Sequence, residues 1–388
     1  MPADRAEEGR TADVMMDVGR DAPGDSAPAC QPGALRRFVM VSQPKVGSVP
    51  NGIASADFNA DGKEDLVVTN FSDANVSVLL GNGDGTFKAA HNYPCGGALP
   101  TAVVAETFKK GSSHLDLAVS YSSGGAVGCG GVAVLLGNGD GTFGPATEYF
   151  AGLDPDGITS ADFDGDGSLD LAVANPVSGQ IRVLRGVGDG TFAYPATYGV
   201  GLPQTLTILA SVFTSSGRPD LVTANASSSL VSVLLDNSDG TLQSPMTSAA
   251  GSSPLGLASA DFDGDGNLDV VVGSSMGHVL HVLLGNGDGT FATHTAHPVG
   301  DAPKSVATAD FDHDGKTDVV SANFMSSDVS VLLGLGGGTF AKAMTFGTGS
   351  NPTSVLAMDI NRDGWPDIVT ANSGTNDLTV FLNEACPP

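Results

Sequence analysis

One short pattern, returning seven times at intervals of about fifty residues, constrains this 388-residue chain more than any other feature. The clearest copies read ADFNADGKEDLVV from Ala56, ADFDGDGSLDLAV from Ala161, ADFDGDGNLDVVV from Ala260, ADFDHDGKTDVVS from Ala309 and MDINRDGWPDIVT from Met358. Two degraded copies fill the gaps, AETFKKGSSHLDLAV from Ala105 and ASVFTSSGRPDLVTA from Ala210. Counted from Asp57, Glu106, Asp162, Ser211, Asp261, Asp310 and Asp359, the steps are 49, 56, 49, 50, 49 and 49 residues.

A second marker keeps the same beat: GNGDGTF at Gly81, Gly137 and Gly285, GVGDGTF at Gly186, DNSDGTL at Asp236 and GLGGGTF at Gly334. Between the markers lie runs such as Ser305-Val306-Ala307-Thr308, Asp318-Val319-Val320-Ser321 and Val329-Ser330-Val331-Leu332-Leu333, rich in the β-branched residues of short strands. Each unit reads as strand a, an acidic loop, strand b, a polar turn, strand c, a Gly-rich hairpin and strand d. Four strands in just under fifty residues is the size of a propeller blade. The expected fold is therefore all-β: a seven-bladed β-propeller of four-stranded antiparallel blades. The hairpin occurs only six times, because the chain ends after strand c of the last unit, Leu378 to Leu382. The run Arg37-Phe38-Val39-Met40-Val41, ahead of the first unit, is expected to supply the missing strand d and close the ring. The division that follows is a disordered, acidic, Pro-rich tail over 1–34 and the propeller over 35–388.

Composition agrees. Charged residues make up 15%, aromatics 6%, and there are 53 glycines, a profile of strands and tight turns rather than helices. The net charge of −26 speaks against nucleic-acid and anionic-membrane partners. Eighteen of the 43 acidic residues are the pattern aspartates of the five intact loops, where a bound dication would cancel part of their charge. No run approaches the ~18 apolar residues of a membrane helix, so membrane insertion is not expected. Residues 1–30 hold no apolar stretch longer than Val14-Met15-Met16, too short for the core of a signal peptide.

The intact loops share the pattern D-x-[DN]-x-D-G-x-x-D. The candidate metal ligands are Asp57, Asn59, Asp61 and Asp65; Asp162, Asp164, Asp166 and Asp170; Asp261, Asp263, Asp265 and Asp269; Asp310, Asp312, Asp314 and Asp318; and Asp359, Asn361, Asp363 and Asp367. Oxygens at alternate positions of one tight loop can all turn inward, the glycine permits the sharp turn, and the ninth-position Asp can close the shell from strand b. Hard oxygen ligands without His or Cys select Ca²⁺ over Zn²⁺, and about five ions are expected. An EF-hand would instead need a Glu at its twelfth position between helices. Turn formation alone explains the loops poorly, because four carboxylates within nine residues repel one another. In units two and four, Lys109-Lys110 and Thr214-Ser215-Ser216 replace the acids, and these loops are expected to bind no metal.

On these loops, on the Gly-Asp-Gly-Thr-Phe hairpin and on a Pro-containing approach to strand a (Leu99-Pro100, Pro254, Pro303, Pro352), the chain over roughly 35–388 resembles the FG-GAP/VCBS repeat family. The integrin α-subunit propeller belongs to that family. The resemblance implies calcium loops that brace the blades from one face and a ligand bound at the other, among the d–a and b–c loops. The leading expectation is a monomeric, secreted or surface-exposed, non-enzymatic binding module for a glycan or extracellular protein. A polysaccharide lyase or hydrolase, and a purely structural surface component, are the alternatives. No G-x-S-x-G, H-E-x-x-H or phosphate-loop motif is present, and no catalytic residue is assigned. Short loops without a bidentate capping Glu suit the weak, extracellular range of ~10⁻⁴–10⁻³ M, which implies a secretion signal upstream.

Cys30 and Cys386 flank the first and last strands, where a disulfide would replace the missing hairpin, and an even count of four cysteines suits an oxidising compartment. Cys95 and Cys129 form a second candidate pair; four unpaired thiols are the alternative. Asn70, Asn175, Asn225, Asn323 and Asn372 each follow the ninth-position Asp by five residues. They either ring the ligand face with amides or start the b–c turn by bonding their own backbone. If Leu284 opposes Phe291, His281 opposes His294 and His278 opposes His297, with His281 facing solvent; two imidazoles make a poor zinc site. Phe71, Tyr121 and Phe324 are the candidate exposed stacking platforms on b–c loops.

Overall fold

A computed structural model describes residues 37–384, apart from 98, 124–129, 203, 238 and 293–294. The repeat folds as expected, into seven four-stranded antiparallel sheets. Blade one comprises Pro50–Ala56, Asp65–Asn70, Asn75–Leu79 and His91–Pro94 as strands a to d. Blades two to six repeat this order, with strand a at Pro100–Glu106, Ile158–Ala161, Thr205–Ser211, Pro254–Ala260 and Pro303–Ala309. Blade seven takes strands a to c from Pro352–Met358, Asp367–Asn372 and Asp377–Glu384, and strand d from Arg37–Ser42. Arg37 pairs with Glu384 and Val39 with Leu382, so the two ends of the chain share one blade.

The core lies between blades. Strand b is buried at all six positions in every blade, because both of its faces are covered by neighbouring sheets. Alternation sends successive side chains to opposite neighbours: Leu66 and Val68 pack against Val369 and Val380 of blade seven, while Val67 packs toward Val103 and Val119 of blade two. The marker phenylalanines lock most of the interfaces. Phe58 beside the first acidic loop meets the hairpin Phe143 of the next blade edge-on at 5.4 Å, and Phe108 meets Phe192 at 5.3 Å. At the closure, where no hairpin exists, Phe38 of the N-terminal strand takes that place against Phe311, also at 5.3 Å.

Strand direction sorts the connections. The acidic a–b loops and the Gly-rich c–d hairpins fall on one face; the b–c and d–a loops fall on the other.

Candidate functional site

The acidic loops owe their shape to two left-handed positions. The sixth residue is always glycine, with φ between 81° and 90° at Gly62, Gly167, Gly266, Gly315 and Gly364. The fourth is left-handed too, even where it is Ala60, His313 or Arg362, with φ of 55°, 57° and 59°. Sequence reasoning found the sixth position and missed the fourth, because only two loops mark it with glycine. This backbone aims the Gly N–H at the first carboxylate: Gly62 donates to Asp57 Oδ2 at 2.8 Å, and Gly167, Gly266, Gly315 and Gly364 repeat the bond.

The ninth-position Asp does more than the sequence reading allowed. In all seven blades its two oxygens accept two backbone N–H groups, one from the apolar residue beside the loop and one from the residue that opens the c–d hairpin or, in blade seven, from Asn383 near the end of strand c. In blade one these run from Phe58 to Asp65 Oδ2 at 3.0 Å and from Gly81 to Oδ1 at 2.8 Å. Blades two and four, whose loops lost their other acids, keep the bonds: Phe108 and Gly137 donate to Asp116, and Phe213 and Asp236 donate to Asp220. This carboxylate is a structural brace first, which accounts for its persistence in the degraded repeats. Burial pushes its pKa up to about 6 at Asp65, Asp269 and Asp367 and to about 7 at Asp318, while the donated N–H groups pull the other way.

Three loops bring three carboxylates within 4.8 Å of one another: Asp162, Asp164 and Asp170; Asp261, Asp263 and Asp265; Asp310, Asp312 and Asp318. Such all-oxygen clusters could hold a hard dication. In the loops at Asp57 and Asp359, Asn59 and Asn361 stand at the third position instead. The loop at Asp162 differs in another way. Arg185, at the end of strand c in the same blade, places Nη1 2.8 Å from Asp170 and 3.7 Å from Asp164. Lys110 of the degraded neighbouring loop donates to the Asp166 carbonyl at 2.8 Å. Two cations thus reach into this loop's acids.

On the opposite face, a cavity of about 240 Å³ lies at the axis, lined by residues at or just before the start of strand a in all seven blades, Asp156 and Lys304 among them. A groove of about 570 Å³ adjoins it, sharing Asp156, Leu206 and Leu255. Burial raises Asp156 to about 6 and lowers Lys304, each partly countered by the other's charge. Neither residue was singled out from the sequence. The signal was present in six units as the residue after a proline at the strand-a approach, but its meaning depends on the ring.

Several sequence expectations for this face need correction. The asparagines form no exposed amide ring; they do start the b–c turn, each carbonyl accepting an N–H from it, while their amides reach further. Asn70, Asn225, Asn323 and Asn372 are fully buried and donate Nδ2 to Ser77, Ser232, Ser330 and Thr379 on strand c, at 2.8–2.9 Å; Asn175 donates to the Ala151 carbonyl. Tyr121 is no platform: it is buried, with its hydroxyl 3.1 Å from Glu148. Phe71 and Phe324 are half-buried, and Lys304 lies over the Phe324 ring at 5.4 Å. The histidine register is also wrong. The hairpin closes at Gly285 and Phe291, with Ala292 N–H bonded to the Leu284 carbonyl, and strand d resumes only at Thr295. Those added residues slide the pairing, so His281 opposes Ala296 and His297 opposes Leu280. His281 is buried rather than solvent-facing; Gly251 leaves it room, since a Cβ there would come within 2.1 Å of its Nε2. His294 lies outside the described residues. So do the tail over 1–34, Cys30, Cys129 and Cys386; Cys95 is a buried free thiol, pushed up to about 11 by burial.

Seven closed blades, each with a loop between strands a and b braced by a buried Asp, define a β-propeller built from acidic-loop repeats. The FG-GAP-like repeat matches residues 57–106, 111–173, 162–212, 213–272, 261–321 and 310–370, and the chain belongs to that family. No curated protein sequence matches. Solved structures share the fold at low identity. A chain of the BBS1N–ARL6DN complex superposes with a TM-score of 0.62 at 12% identity, over 90% of this chain and 98% of that one. The virginiamycin B lyase of Staphylococcus aureus, solved with quinupristin, gives 0.60 at 14%, over 89% and 99%. An Agrocybe aegerita lectin that recognises non-reducing terminal N-acetylglucosamine gives 0.52 at 21%, over 83% and 86%.

Proposed function

We propose that the protein is a calcium-braced, non-enzymatic binding module that works outside the cell, with its ligand held on the face opposite the acidic loops. The observation that carries this reading is the separation of the two faces. Carboxylate clusters suited to a hard cation lie on one face, tied by the ninth-position Asp into the blade interfaces, while the axial cavity and its groove open on the other. Calcium would therefore stiffen the scaffold without touching the ligand. The five intact loops would hold about five ions through the residues assigned above. Fold likeness to a lectin, a protein complex and a lyase does not choose among their functions. The charged lining residues of the axial cavity, Asp156 and Lys304, suit the binding of a polar ligand. The ligand is a glycan or an extracellular protein, and the native chain carries a secretion signal.

An array of glycans and immobilised extracellular proteins, probed with and without chelator, tests the reading. Saturable binding without turnover is expected, weakened when calcium is removed. Cleavage of polyuronate substrates would favour the lyase or hydrolase alternative. Elemental analysis should approach five calcium ions per chain; two or fewer would overturn the five-loop assignment. Submicromolar calcium affinity at every loop would overturn the extracellular placement.

A further inference from the structure

Residues at the start of strand a, or in blade three just before it, form a ring at the axis: Asn51, Thr101, Asp156, Leu206, Leu255, Lys304 and Thr353. In six blades a β-bulge sits at this position. Pairing jumps, for example, from Pro303–Asn323 to Ser305–Ala322, and Lys304 is the extra residue. The residue before strand a is left-handed in the same six blades, with φ of 55° at Val49 and 58° at Ala302. Bulges and strained backbone of this kind are devices for aiming a side chain. Here they accompany the axial residue in six blades, Lys304 among them; in blade three Asp156 lies on the approach to strand a, without a bulge.

The ring is not symmetric. Thr101 and Thr353 spend their hydroxyls on the backbone of the adjoining blades, at Asp156 O and Pro50 O, both at 2.9 Å. One arc of the ring runs Asp156, Leu206, Leu255, Lys304: an anion, two apolar side chains and a cation. Blades three and six lie on opposite sides of the axis. Among the described residues the Asp156 carboxylate forms no hydrogen bond or ion pair, and Lys304 has only the Phe324 ring. Two sheltered opposite charges held apart are costly to keep and ask for an explanation. The cavity has room for the equivalent of about eight waters at ~30 Å³ each, and the adjoining groove extends it past Asp154, Pro176 and Val177.

We infer that this axial mouth binds a small zwitterion of amino-acid or dipeptide size, its ammonium on Asp156, its carboxylate on Lys304 and its apolar side against Leu206 and Leu255. The inference rests on the reading of this face as the ligand face. It specifies the chemistry there: two opposite charges, a fixed span between them, and an apolar wall on one side only.

Calorimetric titration of the calcium-loaded chain with the dipeptide Ala-Leu, and with its N-acetyl and C-amide forms, tests it. Saturable binding of the free dipeptide is expected, with each cap weakening it by at least about tenfold. Asp156→Asn should abolish the penalty of the N-acetyl cap while leaving that of the amide cap, and Lys304→Met should do the reverse. Equal binding of all three ligands, or none at millimolar concentration, would overturn the inference. If either variant fails to fold, the capped series on the unaltered protein decides alone. Should glycans or proteins bind this face while the dipeptide does not, the zwitterion inference falls and the binding-module reading stands.

Discussion

Replacing Arg185 by Leu should move the calcium-free and calcium-bound proteins in opposite directions. Leu is the natural occupant of this position: Leu80, Leu136, Leu235, Leu284, Leu333 and Leu382 fill it in the other six blades. Arg185 is about a quarter exposed and lies 2.8 Å from the fully buried Asp170, a charged hydrogen bond of about 1.5–3 kcal/mol. Without calcium, the variant leaves Asp162, Asp164 and Asp170 within 4.8 Å of one another with that cation gone, so stability should fall by about 2 kcal/mol and the melting temperature by a few degrees. With calcium, the sign reverses. A dication and a guanidinium about 5 Å apart repel by roughly 6–7 kcal/mol at an effective dielectric of ~20, so calcium must expel Arg185 and forfeit its ion pair. The parent loop should therefore be the weakest of the five, and the variant should bind there at least about tenfold more tightly, ~1.4 kcal/mol. Titration of chelator-stripped protein should resolve about four tight ions in the parent and five in the variant, alongside melting curves in chelator and in calcium. An unchanged isotherm together with an unchanged calcium-free melting temperature would refute the reasoning.

Asp116→Ala and Asp220→Ala, in the blades expected to bind no metal, should each cost about 2–4 kcal/mol by stranding two buried N–H groups, equally in calcium and in chelator; a loss seen only in calcium would refute the brace. Asp156, held at about 6 against an ordinary 3.8, retains its proton more tightly folded than unfolded, so its contribution is fully present below 3.8 and is lost as pH rises through 6. Asp156→Asn should therefore stabilise the protein relative to the parent near pH 7.5, by about 1–2 kcal/mol after allowing for solvent contact, and not near pH 3.5; equal gains at both would contradict it. Non-reducing peptide mapping should recover a linked Cys30–Cys386 fragment, and finding both thiols free would remove the covalent closure. Buried Cys95, pushed up to about 11, should resist alkylation until the protein unfolds; ready labelling of the native protein would contradict its burial.

The period of the repeat and the alternation within each unit determined the blade count, the strand order and the closure by Arg37–Ser42, because each depends only on spacing along the chain. The acidic loops were equally legible, since their ligands fall within nine residues. Other features were decided only by the tertiary structure. The asparagines look like turn residues in isolation, and only the tertiary structure shows strand c offering four of them a buried partner and the neighbouring blade offering Asn175 the Ala151 carbonyl. The ninth-position Asp reads as a ligand until the hairpin folds back to donate its second N–H. The histidine register failed because added residues between a hairpin and its outer strand leave no mark in apolar periodicity. Arg185 means little until strand c delivers it to Asp170. Asp156 and Lys304 come from different repeats, and no local pattern relates them. They line one cavity because ring closure sets blades three and six across an axis, Lys304 on the bulge of its strand and Asp156 on the approach to its own.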